Sequence, residues 1–288
     1  MPYERLRDYL EAPFQVLDNR VDDPSAASEK QMRKWPNVPG VTEWKITRAY
    51  IETTIGYALN AFFHFPDNNG ELSVTERIVY DERSFEHFCG MAEPCARVNT
   101  ALRTVGKMLA HVPEFPKLCL ASGSFGKNDN DMGKPDWAVV PSMTGPRSKH
   151  TCRAPGDTKA TPEKFSLPIN QTDNEWAWKY TRQVCHYMNE RKSRYAWIIT
   201  PEELVIFRRR KSDTTGEITP EYKAFSWIPE EGQVVSAATA LFFVIFLSGL
   251  NNKVLPKYQT PATEHKEKIA KIKEAVKKLS IEEEAEES

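Results

Sequence analysis

Two short segments decide the fold: KPDWAVV at residues 134–140 and APGDTK at residues 154–159. Each has the length of a single β-strand, and the chain between them contains the Ser, Gly and Pro residues that are typical of turns. We therefore predict a strand hairpin across this interval. In such a hairpin Asp136 lies beside Asp157.

The charged side chains of the two segments suit the hydrolysis of a phosphodiester. This reaction needs one or two divalent cations that polarise a phosphoryl oxygen and acidify a water, and Mg²⁺ prefers oxygen ligands. Asp136 and Asp157 supply two carboxylates, and the carbonyl of Thr158 supplies a third oxygen. Lys159 shares a strand face with Asp157 and would orient the attacking water or stabilise charge on the phosphate. The pattern predicts a nuclease site that uses Mg²⁺ or Mn²⁺.

A helix is predicted after this hairpin, beginning at Asp173 or Asn174 and ending near Lys192. Gln183 and Tyr187 lie one turn apart on it and share a face. If that face meets the site, Gln183 would hold a metal-bound water or a nucleotide, and Tyr187 would hydrogen-bond to a base or stack on it. If it does not, the two residues are a hydrogen-bonded pair between helices.

The order of these residues resembles the signature of the PD-(D/E)XK nuclease superfamily: Asp136, then Asp157-x-Lys159, then Gln183-x-x-x-Tyr187. The last of these is similar to the additional motif of the RecB-like members. The sequences of the two strands, and RYAWIITPEELV at residues 194–205, are similar to those of fungal PD-(D/E)XK nuclease-like proteins.

The resemblance covers roughly residues 93–250 and implies an α/β restriction-endonuclease-like core, in which helices flank a mixed central β-sheet. It implies a metal-dependent nuclease that hydrolyses phosphodiester bonds of DNA or RNA, with Asp136, Asp157, Lys159 and Gln183 as the catalytic residues. The superfamily also contains inactive members. The alternative is therefore a nuclease-like module that binds nucleic acid or a protein without cutting.

A third acidic ligand is expected from the resemblance, because the superfamily often takes one from a helix before the first core strand. Glu93 and Glu52 are the candidates. Glu93 begins a helix predicted from Pro94, which precedes a strand predicted at residues 118–121, so position favours Glu93. Helix capping at Glu93 and a solvated helix face at Glu52 are the alternatives, and the sequence alone leaves both acids open.

The segment before Asp157 is unusually polar for a buried strand. It reads HTCRAPG at residues 150–156, and Pro155 has no N–H to donate to a ladder. We therefore expect this strand to be short, bulged or at a sheet edge.

A local excess of positive charge overlaps the predicted helix and continues beyond it. Residues 179–211 contain nine Lys or Arg and three Glu, although the whole chain has a formal net charge of −1. A basic surface beside metal ligands suits a phosphate backbone. For the run at residues 208–211, a solvated strand end or a nuclear-import signal is the alternative. The candidate contacts to nucleic acid are Tyr187, Lys179, Arg182, Arg194 and Arg208.

The 288-residue chain divides by composition into three parts. Residues 1–40 are predicted to be a partly ordered N-terminal arm, and residues 41–260 are predicted to be the nuclease-like domain. Residues 261–288 are predicted to be a charged, solvated helix and tail that would serve as a contact for a protein partner. The sequence does not address the oligomeric state.

Further elements follow from periodicity. Residues 41–65 are predicted to contain a helix that is stopped by Pro66, and strands are predicted at residues 196–200 and 204–207. The apolar segment 234–250 is too short and too polar for a membrane span, so we expect a buried helix. Five cysteines without a C-x-x-C pair, and the lack of an apolar signal segment, predict an intracellular protein with reduced thiols, in the nucleus or the cytoplasm.

Overall fold

The computed structural model describes residues 3–13, 18–19, 35, 38, 40–65, 78–79, 85, 94–123, 135–141, 152–161, 164–165, 174–211, 215, 217–228, 231–250, 255–256 and 266–286. The helices in these ranges are α1 (Leu6–Glu11), α2 (Arg48–Leu59), α3 (Cys95–Met108), α4 (Glu175–Glu190), α5 (Ala237–Leu250) and α6 (Lys266–Glu286). The strands are β1 (Tyr3–Arg5), β2 (Asp18–Asn19), β3 (Thr42–Glu43), β4 (Phe62–His64), β5 (Ile78–Val79), β6 (Leu118–Ser122), β7 (Trp137–Pro141), β8 (Ala154–Thr158), β9 (Tyr195–Ile199), β10 (Glu203–Lys211), β11 (Ile218–Ser226) and β12 (Leu255–Pro256).

One large mixed sheet forms the centre of the fold. Its strands lie in the order β3-β11-β10-β9-β8-β7-β6, and β12 pairs with the end of β10. β8 and β9 are parallel, whereas the pairs β6–β7, β7–β8, β9–β10 and β10–β11 are antiparallel. A parallel pair needs a long crossover connection, and α4 lies in the connection from β8 to β9. The prediction of an α/β fold with a mixed central sheet flanked by helices is confirmed at this level.

Helix α5 packs on one face of the sheet. All of its residues except Gly249 are buried, and it contacts β9 and β10 as well as α1 and α3. A helix that is apolar on all sides is a core helix, so the prediction of a buried helix in this segment is confirmed. Trp197, Leu204 and Ile206 of the sheet share its core. No helix in the described ranges is long and apolar enough to cross a membrane.

Helix α4 covers the opposite face of the sheet. Its residues Trp178, Val184 and Met188 pack with Ile198 of β9 and other residues of that face. The helix begins where the sequence predicts, because the Asn174 side chain accepts a hydrogen bond from the N–H of Ala177 at 3.0 Å. The sheet therefore lies between two helical layers.

Strand β8 lies in the interior of the sheet, between β7 and β9, and all five of its residues are buried. Of the three alternatives, the edge position is wrong, whereas the strand is short, with five residues. Pro155 is tolerated there because β9 pairs with β8 only from Gly156 to Thr158, so the missing N–H lies outside that ladder. On the other side, Pro155 pairs with Ala138 of β7.

The segment 41–65 changes from helix to strand before its end. Helix α2 ends at Leu59, and β4 then pairs with β1. In β4 the side chains are alternately exposed, buried and exposed, which is the two-residue period of a strand. The prediction of helical structure up to Phe65 is wrong for this part.

Residues near both ends of the chain contribute to the main core. Leu6 and Leu10 of α1 are fully buried. Ile269, Ile272 and Val276 of α6 are buried in the same core, although the helix is rich in charged residues. The expectation of a solvated C-terminal tail is therefore wrong for the first half of α6.

The cysteines of the described ranges are buried and form no disulfide, namely Cys95, Cys119, Cys152 and Cys185. Burial raises the pKa of Cys152 and of Cys185 to about 12. These two thiols therefore keep their protons at neutral pH, which is unfavourable for nucleophilic or metal-binding roles.

Replacing the buried side chain of α6 tests whether this helix belongs to the folded core. Ile272→Ala should lower the free energy of unfolding by about 2–5 kcal/mol, because it leaves a cavity at a fully buried position. Lys277→Ala, at an exposed position of the same helix, should change it by less than about 0.5 kcal/mol. Chemical denaturation measures both. Equal, small effects would mean that α6 is solvated as the sequence suggests.

Candidate acid–lysine site

The hairpin of β7 and β8 brings Asp136 and Asp157 to the same end of two adjacent strands. Trp137 pairs with Gly156, so the two acids are the next residues along this register. Asp136 Oδ2 accepts hydrogen bonds from the backbone N–H of Thr158 at 2.7 Å and from its hydroxyl at 2.6 Å. These two bonds hold the half-buried Asp136 carboxylate against the end of β8.

Lys159 returns to Asp157 directly after the strand. Its Nζ lies 2.7 Å from Asp157 Oδ2, and the exposed fractions of the two residues are 7% and 1%. The backbone N–H of Lys159 donates to the carbonyl of Ile199 at 2.8 Å, which fixes the lysine beside β9. The ammonium also lies 5.6 Å from the centroid of the Tyr180 ring on α4. The side chains of Asp157 and Lys159 lie on the same side of the strand, as expected, because their charged atoms are in contact.

Gln183 and Tyr187 form a hydrogen-bonded pair on α4 that faces the two acids. Gln183 Nε2 donates to the Tyr187 hydroxyl at 2.8 Å. Burial raises the pKa of Tyr187, and the negative charges of Asp157 and Asp136 raise it further, whereas the Gln183 bond and the charge of Lys159 lower it. The phenol is therefore neutral at physiological pH and close enough to the acids to feel their charge.

Gly156 is required by a close approach within the sheet. A Cβ at this position would lie 2.0 Å from Cε2 of Trp197, a fully buried residue of β9. The indole therefore occupies the space that any larger residue before Asp157 would need. A similar approach exists at Gly123, where a Cβ would lie 1.5 Å from the carbonyl oxygen of Pro135. The backbone N–H of Gly123 donates to the carbonyl of Asp136 at 2.8 Å.

Two aromatic residues of α4 lie beside the site without having been singled out from the sequence. Tyr180 contacts Lys159 as described, and its ring centroid lies 6.0 Å from that of Trp176. Trp176, Tyr180, Gln183 and Tyr187 are spaced by four, three and four residues, which places them on one helical face. That spacing is visible in the sequence and is the signal that would have found them.

Arg208 belongs to β10 and Arg194 directly precedes β9, and both charges act on Tyr50 of α2, on the side of the sheet opposite to α4. Arg208 donates to Glu221 through Nε at 2.8 Å, and its guanidinium lies 4.2 Å from the centroid of the Trp44 ring. Arg194 is fully buried, and both arginines lower the pKa of Tyr50 on α2, which burial raises. Both side chains are therefore buried within the fold, which is unfavourable for the predicted contacts with nucleic acid.

The basic run at residues 208–211 is mostly buried. Arg209 donates from Nε to the carbonyl of Ser193 at 2.8 Å, and the exposed fraction of Arg210 is 4%. Lys211 is the exposed residue of the run. A solvated strand end therefore describes Lys211 alone, and the side chains of Arg208, Arg209 and Arg210 support the sheet.

The remaining predicted site residues are distributed as follows. Lys179 lies 2.8 Å from Glu175 on α4, and Arg182 donates to the carbonyl of Trp35 at 3.1 Å. Glu52 is on α2, where its Oε1 accepts a hydrogen bond from Arg7 at 2.6 Å. Glu93 lies outside the described residues. Glu52 is therefore paired with the guanidinium of Arg7. The prediction for Glu93 stays a prediction.

The described residues contain no group of three or more His, Cys, Asp or Glu side chains that could hold a metal ion. Two carboxylates nevertheless suit Mg²⁺, which commonly keeps several waters and takes only one or two carboxylates from the protein. Asp136 and Asp157 are such a pair, and the Thr158 carbonyl belongs to the residue directly after Asp157. The donor set fits a hard divalent cation better than a soft one, since all its atoms are oxygens.

Comparisons with known proteins identify no relative: no protein-family model matches the chain, and neither a curated protein nor a solved structure gives a significant match.

Glycine-to-alanine changes at Gly156 and Gly106 should have opposite effects on stability, because of these two only Gly156 is closely approached by another side chain. Gly156→Ala should lower the free energy of unfolding by about 1–3 kcal/mol, because its methyl group overlaps the Trp197 indole. Gly106→Ala should raise it by about 0.5–1 kcal/mol, because this helical position has open space and alanine favours helix. Urea denaturation measures both variants. A neutral Gly156→Ala would show that the strand and indole separate at little cost.

Proposed function

We propose that this chain is a metal-dependent nuclease that hydrolyses phosphodiester bonds of DNA or RNA. One observation carries the proposal: two acids, a lysine and a Gln–Tyr pair come together at the ends of β7 and β8 and on the facing side of α4. The combination is the one that phosphodiester hydrolysis needs, namely carboxylates for a cation, a cation for phosphate charge and hydrogen-bonding groups for water or substrate.

The proposed roles follow from the positions of the side chains. Asp136 and Asp157, with the Thr158 carbonyl, would hold Mg²⁺ or Mn²⁺. When bound, such a cation polarises a phosphoryl oxygen and lowers the pKa of an attacking water. Lys159 would stabilise the negative charge that grows on the phosphate, and Gln183 would orient the water or the nucleotide.

The mixed sheet between two helical layers is compatible with the proposal. The order of the site residues resembles the PD-(D/E)XK signature. We therefore propose a restriction-endonuclease-like core as the finer description of the mixed sheet between two helical layers. In that description the hairpin β7–β8 carries the acids, and α4 supplies Gln183 and Tyr187 before β9. Nucleic acid is the proposed partner.

A second candidate is a nuclease-like module that binds without cutting. Two contacts favour it: Thr158 donates twice to Asp136, and Lys159 lies against Asp157 with both residues almost fully buried. In this arrangement each carboxylate already has a partner inside the protein. A binder of this kind would show little stabilisation by Mg²⁺, whereas the nuclease would be stabilised by it.

Cleavage of labelled single-stranded and double-stranded DNA and RNA, with Mg²⁺, Mn²⁺ or EDTA, tests the proposal. Asp157→Asn and Lys159→Met should each reduce the metal-dependent rate by at least about 100-fold. The first removes a carboxylate that would hold the metal, and the second removes the cation that would stabilise the charge on the phosphate. Asp8→Asn, at an exposed acid on α1, should cut at the wild-type rate.

A double variant separates loss of chemistry from loss of folding. Removing one partner of a buried ion pair costs about 3–5 kcal/mol, whereas removing both is often nearly neutral. Asp157→Asn combined with Lys159→Met should therefore be more stable than either single variant and still fail to cut. The nuclease proposal is abandoned if folded wild-type protein cuts none of the four substrates with either metal, or if the folded double variant cuts normally.

A further inference from the structure

The face of α4 beside the site carries a row of aromatic rings with cations above them. Lys159 Nζ lies 5.6 Å from the centroid of the Tyr180 ring, and Lys179 Nζ lies 4.6 Å from the centroid of the Trp176 ring. The two rings lie 6.0 Å apart, centroid to centroid. A continuous series of contacts therefore runs from Asp157 through Lys159, Tyr180 and Trp176 to Lys179.

The two rings differ in what they offer to a ligand. The exposed fraction of Tyr180 is 3%, and the ring of Phe165 stacks on it at 6.3 Å with an interplanar angle of 24°. Phe165 is itself fixed, because its N–H donates to buried Glu203 at 2.6 Å. Trp176 is only half-buried, and it packs at the margin of this apolar cluster. Trp176 is therefore the ring of the row with an accessible surface.

Lys179 has the properties of a phosphate contact at the same place. A quarter of its side chain is exposed, and its ion pair with Glu175 is between residues one turn apart on the helix surface. Such pairs contribute little to stability, so the ammonium is readily redirected to a phosphate. An indole beside such an ammonium combines the two groups that proteins use for unpaired nucleotides, namely a stacking surface and a cation for the backbone.

We propose that Trp176 and Lys179 bind an unpaired nucleotide that flanks the scissile bond, so that the preferred substrate is single-stranded nucleic acid. The indole stacks on the base, and Lys179 binds the adjacent phosphate. The inference rests on the proposed function in one respect: it takes the Asp157–Lys159 end of the row as the place of the scissile phosphodiester. A base inside a duplex is already stacked on both sides and does not offer its face to the indole.

The test measures binding in EDTA, where no metal-dependent cutting interferes. The probes are a fluorescein-labelled 20-nucleotide DNA strand, the same strand as RNA, and the corresponding DNA duplex, each followed by fluorescence anisotropy. Trp176→Leu should weaken binding of at least one single strand about tenfold and change duplex binding less than twofold. Trp176→Phe keeps an aromatic ring and should retain most of the affinity. Phe62→Leu, at an exposed aromatic residue on β4, should bind as wild type.

Lys179 has a separate readout in the salt dependence. Lys179→Gln should reduce the slope of log K against log salt concentration for the single strand by about 0.7, which is the value for one lost phosphate contact. Trp176→Leu should leave that slope unchanged, because stacking releases no counterion. The DNA and RNA arms show which sugar the surface accepts.

The outcomes separate this inference from the proposed nuclease. If folded Trp176→Leu protein binds single strands as wild type does, or loses duplex binding equally, the stacking proposal is wrong even if the protein cuts nucleic acid with Mg²⁺. If wild-type protein binds none of the three probes, it is wrong as well. If single-strand binding depends on Trp176 and no cutting occurs with Mg²⁺ or Mn²⁺, the stacking on Trp176 stands, whereas the nuclease proposal and the position beside a scissile bond both fail.

Discussion

The candidate site depends on the buried ion pair of Asp157 and Lys159 at the end of an interior strand. Two charges at exposed fractions of 1% and 7% are stable in a protein only when they compensate each other. Their contact at 2.7 Å provides that compensation, and the bond from Lys159 to the Ile199 carbonyl holds the lysine in place. Both charges reach the Tyr187 phenol on α4, where burial and Asp157 raise the pKa of the phenol and Lys159 lowers it. Side chains held this tightly are preorganised, which is what the proposed electrostatic role of Lys159 would require.

The packing around the pair explains why it lies inside the sheet. β8 is polar in sequence, yet it is covered by α4 on one face and borders β9 along Gly156, where the Trp197 indole fills the space of a side chain. On the other face, α5 supplies a helix that is apolar all round and binds the sheet to α1 and α3. The sheet thus separates two groups of charges, one on each of its faces. Asp136 and the pair belong to the α4 side, whereas Arg208 and Glu221 belong to the α5 side.

The sequence predicted those parts of the fold whose signals are local. The turn residues between β7 and β8, the Asn174 cap of α4 and the apolar run of α5 each specify an element without reference to distant residues. The position of β8 was not predictable in this way, because its tolerance of Pro155 depends on where pairing with β9 begins. The burial of Arg208 was not predictable either. A count of charges does not show that Trp44 and Glu221 receive the guanidinium.

Binding of Mg²⁺ to the folded protein is the measurement that bears first on a metal site at Asp136 and Asp157, because it needs no knowledge of the substrate. Isothermal titration calorimetry of wild type, Asp136→Asn and the double variant Asp157→Asn with Lys159→Met separates the metal site from the stability of the ion pair. We expect a saturable heat of binding in the wild type and its loss in both variants, with each shown to be folded by circular dichroism. A folded wild type without any binding heat, or equal binding in all three proteins, would contradict this expectation.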